Sequence, residues 1–408
     1  MTTPLASRQV LTLIVAAAAI LMITMGARQT SGLFLLPITG STGVSIVAFS
    51  FALAVGQFMF GMAQPIFGAI ADKFGAIRVI VAGGLMLALG YALTPFVSSS
   101  GGLMLTLGVL GAGGAAAGSF SILIGIAAQR LPVEKRSLAA GLINAGGSLG
   151  QFVFAPLVQF FIGAAGWVTA MYFTAAAALL TLPLTLLLRE SGSASAVIAP
   201  AHATARIGLG EQVREAMRNP SYLYLHAGFF TCGFHVAFLV THLPSDLQLC
   251  GLSGDVAARS IAAIGLFNVA GSLLVGWLGQ RYRMKYLLAG IYGSRALIVA
   301  IYMVMPKTAW NVYLFAAALG LTWLATVPPT AGLVGKLFGT RYIATLFGLT
   351  LVSHQVGGFL GAWLGGVALA RTGSYEWIWY ADISLALLAA VINLPIREAR
   401  LRPQPAVA

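Results

Sequence analysis

Gly68-Ala-Ile-Ala-Asp72-Lys73-Phe-Gly75-Ala-Ile-Arg78 joins two long apolar runs, near residues 45–71 and 76–98, through a short turn that concentrates three charges. A degraded copy, Gly276-Trp-Leu-Gly279-Gln-Arg281-Tyr282, joins two more such runs roughly 206 residues later. A turn repeated at that interval implies a chain built twice. Outward from the two turns, further apolar runs lie near 10–38, 103–129, 137–163, 167–188, 221–244, 286–305, 309–334, 343–369 and 377–396, with 256–279 preceding the second turn. That makes twelve helices, each near the roughly 20 apolar residues needed to cross a bilayer.

Composition agrees. Of 408 residues 59% are hydrophobic and 8% charged, against roughly a quarter charged in soluble domains. The net charge of +13 does not imply nucleic acid, because the basic residues are scattered over many short segments instead of sharing one face. Cys232 and Cys250 form neither a disulfide framework nor a metal-ligand spacing.

Lys and Arg accumulate in cytoplasmic loops. Eighteen of them fall on the side that holds Arg8, Lys73, Arg78 and Arg397, against Arg259, Lys307 and Arg371 on the other. Both termini are therefore expected in the cytoplasm, which the even helix count also requires. The only long polar stretch, Glu190 to Pro220, divides the runs six and six. The expected organisation is an all-α membrane protein of two six-helix bundles: residues 1–190, a cytoplasmic linker 191–220, and residues 221–408. Such repeats are a construction rule of many secondary transporters.

Arg28 stands out within this plan. No other ionisable side chain occurs between Val10 and Ile38, and Arg28 lies roughly 6 Å from the middle of that run at ~1.5 Å per residue. An intramembrane charge is by default a functional-site hypothesis. Of ten carboxylates, only Asp382 falls within a run, whereas Arg28 and Arg295 both do. An electropositive interior without counter-ions suits an anion, and a guanidinium can grip a carboxylate bidentately. By the repeat offset, Arg28 corresponds to a position near His235 in the seventh helix.

The Gly68-x-x-x-Asp72-Lys73-x-Gly75-x-x-Arg78 turn resembles the signature loop of the major facilitator superfamily. In physical terms Gly68 lets two helices approach closely, and Asp72 near a helix end can hold a cytoplasmic gate with Lys73, Gly75 and Arg78. A narrower likeness rests on Gly26-Ala-Arg28-Gln29-Thr-Ser-Gly32-Leu-Phe34-Leu-Leu-Pro37, Cys232-Gly-Phe234-His235, Thr241-His242-Leu-Pro244, Gly265-Leu-Phe-Asn268, Val327-Pro328-Pro329-Thr330 and Ser353-His354-Gln355-Val-Gly357-Gly358. These resemble bacterial relatives of the monocarboxylate transporter and oxalate:formate antiporter group. There the position resembling Arg28 carries a lysine linked to substrate and proton, which implies an anion site here. The eighth helix of monocarboxylate transporters carries an Asp and, four residues on, an Arg; here Asn268 and Ser272 stand in that segment.

The resemblance further implies that the seventh helix lines the cavity and that the ninth, with Arg295, is peripheral. The expected substrate-binding set is Arg28, Gln29, His235, Asn268, His354 and Gln355; the gating set is Gly68, Asp72, Lys73, Gly75 and Arg78. The Pro328-Pro329 pair should break the tenth helix, making Thr326 and Thr330 cavity groups. His226 and His242 are expected at the membrane interfaces. Arginine cannot deprotonate in proteins, so a coupling proton would need His235, His354 or Asp382; anion exchange or uniport needs none.

The expected function is secondary active transport of a small organic anion, a monocarboxylate above all, across a bacterial inner membrane by alternating access. The partners are that anion, the lipid bilayer, and protons or a counter-anion, in a monomer without nucleic acid, metal or cofactor. An efflux pump for amphiphilic drugs is the rival. A non-transporting receptor is a third reading, which a gate loop argues against. No nucleophile–base pair, metal cluster or phosphate-cradling loop points to an enzyme.

Overall fold

The computed structural model describes residues 7–131, 133–189, 208–339 and 342–398. Both chain ends, and the part of the expected linker before residue 208, lie outside the described residues, as does the side chain of Asp72. Every described element is helical. In order they are α1 (Ser7–Gln29), α2 (Leu35–Thr42), α3 (Ile46–Phe74), α4 (Ala76–Leu93), α5 (Ser100–Leu103), α6 (Ala112–Ala117), α7 (Phe120–Arg130), α8 (Val133–Leu179) and α9 (Thr181–Arg189). There follow α10 (Leu209–Met217), α11 (Pro220–Leu249), α12 (Gly254–Leu278), α13 (Met284–Val304), α14 (Ala309–Thr322), α15 (Val327–Phe338), α16 (Ile343–Thr372) and α17 (Glu376–Asn393). A π-helix, Met104–Gly111, links α5 to α6, and 3-10 turns occupy Ser31–Phe34 and Thr94–Phe96.

Among the described residues, ten stretches are long and apolar enough to cross a membrane. One of them, Ala139–Leu188, covers 50 residues and is two helices meeting at Gly166, whose φ of 82° and ψ of 167° belong to a region essentially reserved for glycine. Other interruptions have equally local causes. Pro328 and Pro329 have no N–H for the carbonyls of Leu324 and Ala325, and the chain unwinds between α14 and α15 from Trp323 to Thr326. The second stretch starts cleanly because Ser45 caps α3, its side chain accepting from Ala48 N.

α1 packs along α8 and α11 along α16, while α4 lies on α8 and α13 on α17. The two broadest contacts between the halves are α3 with α16 and α8 with α12, and α11 adds smaller ones to the 3-10 turn at Ser31–Phe34, to α2 and to α3. They are close where small residues face each other: a Cβ at Gly61 of α3 would stand 2.1 Å from Gln355 Cγ, and one at Gly265 of α12 would stand 2.7 Å from Ser148 O. Phe51 adds edge contacts to Phe359 and Trp363 with centroids 5.7 and 5.8 Å apart. The α3–α16 contacts run from Ser50 to Gly61 on α3 and from Gln355 to Gly366 on α16. Beyond them the helices diverge, leaving Ile66, Ile70 and Phe74 on α3 and Leu273, Leu274 and Trp277 on α12 exposed.

The diverging end is the one that carries the Gly68–Arg78 turn. A Cβ at Gly68 would meet nothing within 4 Å, so the close helix approach expected there is absent in this arrangement. Gly75 ends α3 at φ 94°, and Lys73 and Arg78 are exposed.

Candidate functional site

Arg28 lies in the last turn of α1, where unpaired carbonyls and the negative end of the helix dipole favour a cation. The chain leaves the helix directly afterwards, and nearby hydroxyls take up the carbonyls: Thr30 Oγ1 donates to Gly26 O at 2.9 Å, Tyr91 Oη to Ala27 O at 2.7 Å and Ser31 Oγ to Arg28 O at 2.8 Å. The half-buried guanidinium reaches α3. There Nη2 donates to Gln57 Oε1, and Cζ stands 4.1 Å from the Phe60 ring centroid. A cavity of ≈ 20 Å³ beside it is lined by Ser31, Leu53, Gln57, Tyr91, Leu107 and Gly111 among others, which is room for about one water molecule.

Among the described residues the ion pairs are His235–Asp382 and Lys336–Glu398. Arg28 therefore has neutral partners and no carboxylate. Gln57, Phe60 and Tyr91 are functional candidates that sequence reasoning passed over. A polar Gln57 inside the apolar run of α3 was a usable signal; Tyr91 was not, because nothing local says that α4 turns it toward α1. Leu107 and Gly111 belong to the π-helix, a feature that often marks functional sites.

The remaining members of the expected set divide. Gln355 is 5% exposed and presses on α3 opposite Gly61, one helical turn from Gln57 and on the same face. Its Oε1 has no hydrogen-bond partner, so it is the group from the second half best placed to join Arg28 and Gln57. Gln29 is buried but does not line the Arg28 cavity. Asn268 bridges the halves: Nδ2 donates to Ser148 Oγ at 2.9 Å, while Oδ1 accepts from Leu324 N at 3.0 Å and Ser272 Oγ at 3.3 Å. It thus caps the unwound segment ahead of α15.

His354 turns into the second half, its ring 5.1 Å from that of Phe229 and its side chain against Cys232. His235 turns further away. Fully buried, it lies 2.6 Å through Nδ1 from Asp382 Oδ2 on α17. The opposite face of α11 meets the first half, with Val240 O against Gly32. The repeat offset therefore does not make His235 a mirror image of Arg28, because α11 presents a different face to its neighbours.

Arg295, also fully buried, faces the same region. Its Nη2 donates to Thr322 O at 2.6 Å and Trp323 O at 3.0 Å, carbonyls released where α14 unwinds. Around the pair and the arginine, His235 Nε2, Asp382 Oδ1, Arg295 Nε and Nη1, and Trp323 Nε1 have no protein partner. These five polar atoms form a buried polar cluster inside the second half. The expectation that buried formal charge is positive only is corrected here: Asp382 is 0% and Asp246 9% exposed. His242 is likewise fully buried within the protein, with Nε2 bonded to Ala362 O at 2.7 Å and Nδ1 to Tyr375 Oη at 3.1 Å. Thr326 and Thr330 are buried too, Thr326 against Cys232 Sγ at 3.2 Å.

Among the described residues no group of three or more His, Cys, Asp or Glu side chains could hold a metal ion.

The family model described as Major Facilitator Superfamily matches residues 15–362. Over 355 residues the chain is 28% identical to monocarboxylate transporter 13 of Bos taurus, covering 85% of this chain and 79% of that one. Over 366 residues it is 24% identical to the oxalate:formate antiporter of Oxalobacter formigenes, covering 88% and 84%. The crystal structure of a D-xylose-proton symporter superposes with TM-score 0.74 at 12% identity, covering 96% of this chain and 98% of that one.

Proposed function

Since the chain belongs to the Major Facilitator Superfamily, and is a multi-pass membrane protein and secondary transporter by that membership, we propose that its cargo is a small organic anion bearing a carboxylate. The observation that carries this reading is Arg28: a guanidinium within a membrane-spanning stretch, partnered by an amide oxygen and a ring face and by no carboxylate. An unpaired cation in such surroundings is expensive, and a carboxylate ligand neutralises it. The relatives fit, one named for monocarboxylates and one for oxalate and formate.

In this reading Arg28 clamps the carboxylate, Gln57 and Gln355 close over it from α3 and α16, and Tyr91 and Ser31 hold the end of α1 in place. Counting the kinked Ala139–Leu188 stretch as two spans and adding α16 gives twelve, six before α10 and six after it. The α3–α16 and α8–α12 contacts support that division, because exchanging the repeats turns α3 into α12 and α16 into α8. With both termini in the cytoplasm of a bacterium, the diverging end opens inward. The Gly68–Arg78 turn then becomes a gate that closes only when the halves rock together on that side. The coupling ion is a proton held by His235 and Asp382, the one buried imidazole–carboxylate pair among the described residues. Transport by alternating access requires no covalent step.

Counterflow into liposomes with a panel of labelled carboxylates, amines and sugars tests the cargo. Exchange confined to carboxylates supports the reading; preferential exchange of amines or lipophilic cations ends it in favour of drug efflux.

A further inference from the structure

A second cavity, of ≈ 390 Å³, lies far from Arg28 at the closed end of the second half, where α13 ends, α17 begins and α11 finishes. Asp246 forms its floor. This carboxylate is 9% exposed; its Oδ2 accepts from Tyr302 Oη at 2.7 Å and the carboxylate also takes a hydrogen bond from the Trp379 side chain. No Lys, Arg or His among the described residues lies within ion-pair distance of it, though Lys307, whose Nζ donates to Tyr302 O, is near enough to act on it electrostatically. Glu376 and Tyr380 form the exposed rim, and Lys307 enters from the loop after α13, its Nζ 3.7 Å from the Tyr302 ring centroid.

Each wall suggests part of a ligand. A carboxylate floor suits an ammonium group, from which it can accept a charge-assisted hydrogen bond. Lys307 supplies a separate positive charge for an anion a short distance away. A zwitterion with a primary ammonium and a phosphate satisfies both, whereas a trimethylammonium has no N–H to give Asp246. The walls also say where the ligand comes from. The cavity opens between α13 and α17, whose outward residues Leu297, Val304, Leu387 and Val391 are 61, 83, 52 and 62% exposed. These apolar surfaces face hydrocarbon in a bilayer. Tyr and Trp gather at the end of the spans, as they do at membrane interfaces.

We propose that the Asp246–Lys307 cavity binds the headgroup of an aminophospholipid of the ethanolamine type, with the acyl chains lying in the groove between α13 and α17. The proposal is independent of the cargo bound at Arg28. Occupancy would tie α11, the helix that carries His235 and meets the first half, to the bilayer, so such lipids would bias the rocking of the halves.

Full-length purified protein, stripped of lipid in detergent, can be titrated with short-chain phosphatidylethanolamine, phosphatidylcholine and soluble phosphoethanolamine, with binding read by native mass spectrometry. The expected result is roughly ten-fold tighter binding of the ethanolamine lipid than of the choline lipid, the scale of one charge-assisted hydrogen bond. Asp246→Asn should erase that preference. Glu376→Gln, on the exposed rim and safe for folding, should weaken it, and Lys307→Gln should weaken both lipids together. Equal affinity for the two lipids in the wild type overturns the proposal, as does a preference that survives in both acidic-residue variants. Soluble phosphoethanolamine binding as tightly as the lipid would overturn the membrane source.

Discussion

His235 Nδ1 stands 2.6 Å from Asp382 Oδ2, a fully buried contact between α11 and α17 that lies on the face of α11 turned away from the first half. The partly exposed Arg28, by contrast, belongs to the first half and pairs with α3. The proposed proton site and the proposed anion site thus reside on opposite repeats, so coupling between them must pass through the rocking of the halves and not through direct contact.

That separation predicts a split phenotype for Asp382→Asn, which keeps the shape but not the charge. Accumulation driven by a pH gradient should fall at least roughly ten-fold, the scale of a charged hydrogen bond, while counterflow of unlabelled against labelled anion stays within about two-fold. Liposome assays of both modes on one preparation decide it. Equal loss in both would reduce the pair to a structural role.

For Arg28 the expected direction is on substrate affinity. Arg28→Ala should raise KM for the carboxylate by roughly 10- to 100-fold, the range of a charge-assisted hydrogen bond at about 1.5–3 kcal/mol. Arg28→Lys should recover part of that, since the charge returns without the bidentate geometry. Unchanged KM in the alanine variant would remove Arg28 from the site.

Arg295 is predicted to act on stability. Arg295→Met strips the caps from Thr322 O and Trp323 O and leaves Asp382 without its neighbouring cation, a loss on the order of 3 kcal/mol for a broken buried charge network. Thermal unfolding in detergent should report a lower Tm than for the distant exposed change Arg281→Met. A Tm equal to that of wild type would contradict the capping role.

The contact between α3 and α16 offers a test of alternation. A Cβ at Gly358 would lie 3.6 Å from Gln57 Cβ, within disulfide range, so cysteines at both positions should cross-link readily in the arrangement seen here, with Cys232 and Cys250 replaced by serine. Gly32→Val wedges a side chain against Val240 O, which a Cβ at Gly32 would approach to 2.1 Å, and should open that end. The cross-linking yield is expected to drop several-fold in the wedge variant. A yield that does not change would mean the two ends do not alternate.

One pH effect lies outside the membrane spans. Glu398 accepts from Met284 N at 3.0 Å and Lys336 Nζ at 2.7 Å. Burial works to raise its pKa, but these donors and the Lys336 charge more than offset it, holding the carboxyl below its ordinary 4.5. A carboxyl depressed in the folded state adds stability that is whole above about pH 4.5 and disappears as pH falls through the lower folded value. Lys336→Ala should flatten that acid slope and lower stability at pH 7 by about 0.2–1 kcal/mol, as for exposed pairs. Unfolding followed from pH 3 to 7 on both proteins checks it.

Much of this was legible from the chain because it is local. Apolar run length, the repeated turn after the second and eighth runs, and a lone arginine inside the first run are properties of consecutive residues, and the bilayer as solvent leaves few alternatives to helices. The breaks at Pro328-Pro329 follow from a missing N–H. The Gly68 turn was legible as a hinge between two spans but not as a loose one, because whether helices touch there depends on which end of the molecule is closed.

What a position's neighbours are is a different matter. His235 sits in mid-helix by sequence, but only the packing of α11 between α16 and α17 decides that it meets Asp382. Asn268 reads as a pocket residue by analogy and becomes a bridge to Ser148 and Leu324 once α12 lies between α8 and α14. Sequence by itself determined the helical character of the chain and the sign of the charge at Arg28, because each depends on residues a few positions apart. Tertiary structure alone decided the neighbours Gln57, Phe60 and Tyr91 around Arg28, the pairing of Asp382 and the cavity at Asp246, because each joins side chains from different helices, and helix orientation about its own axis is set by packing and not by periodicity.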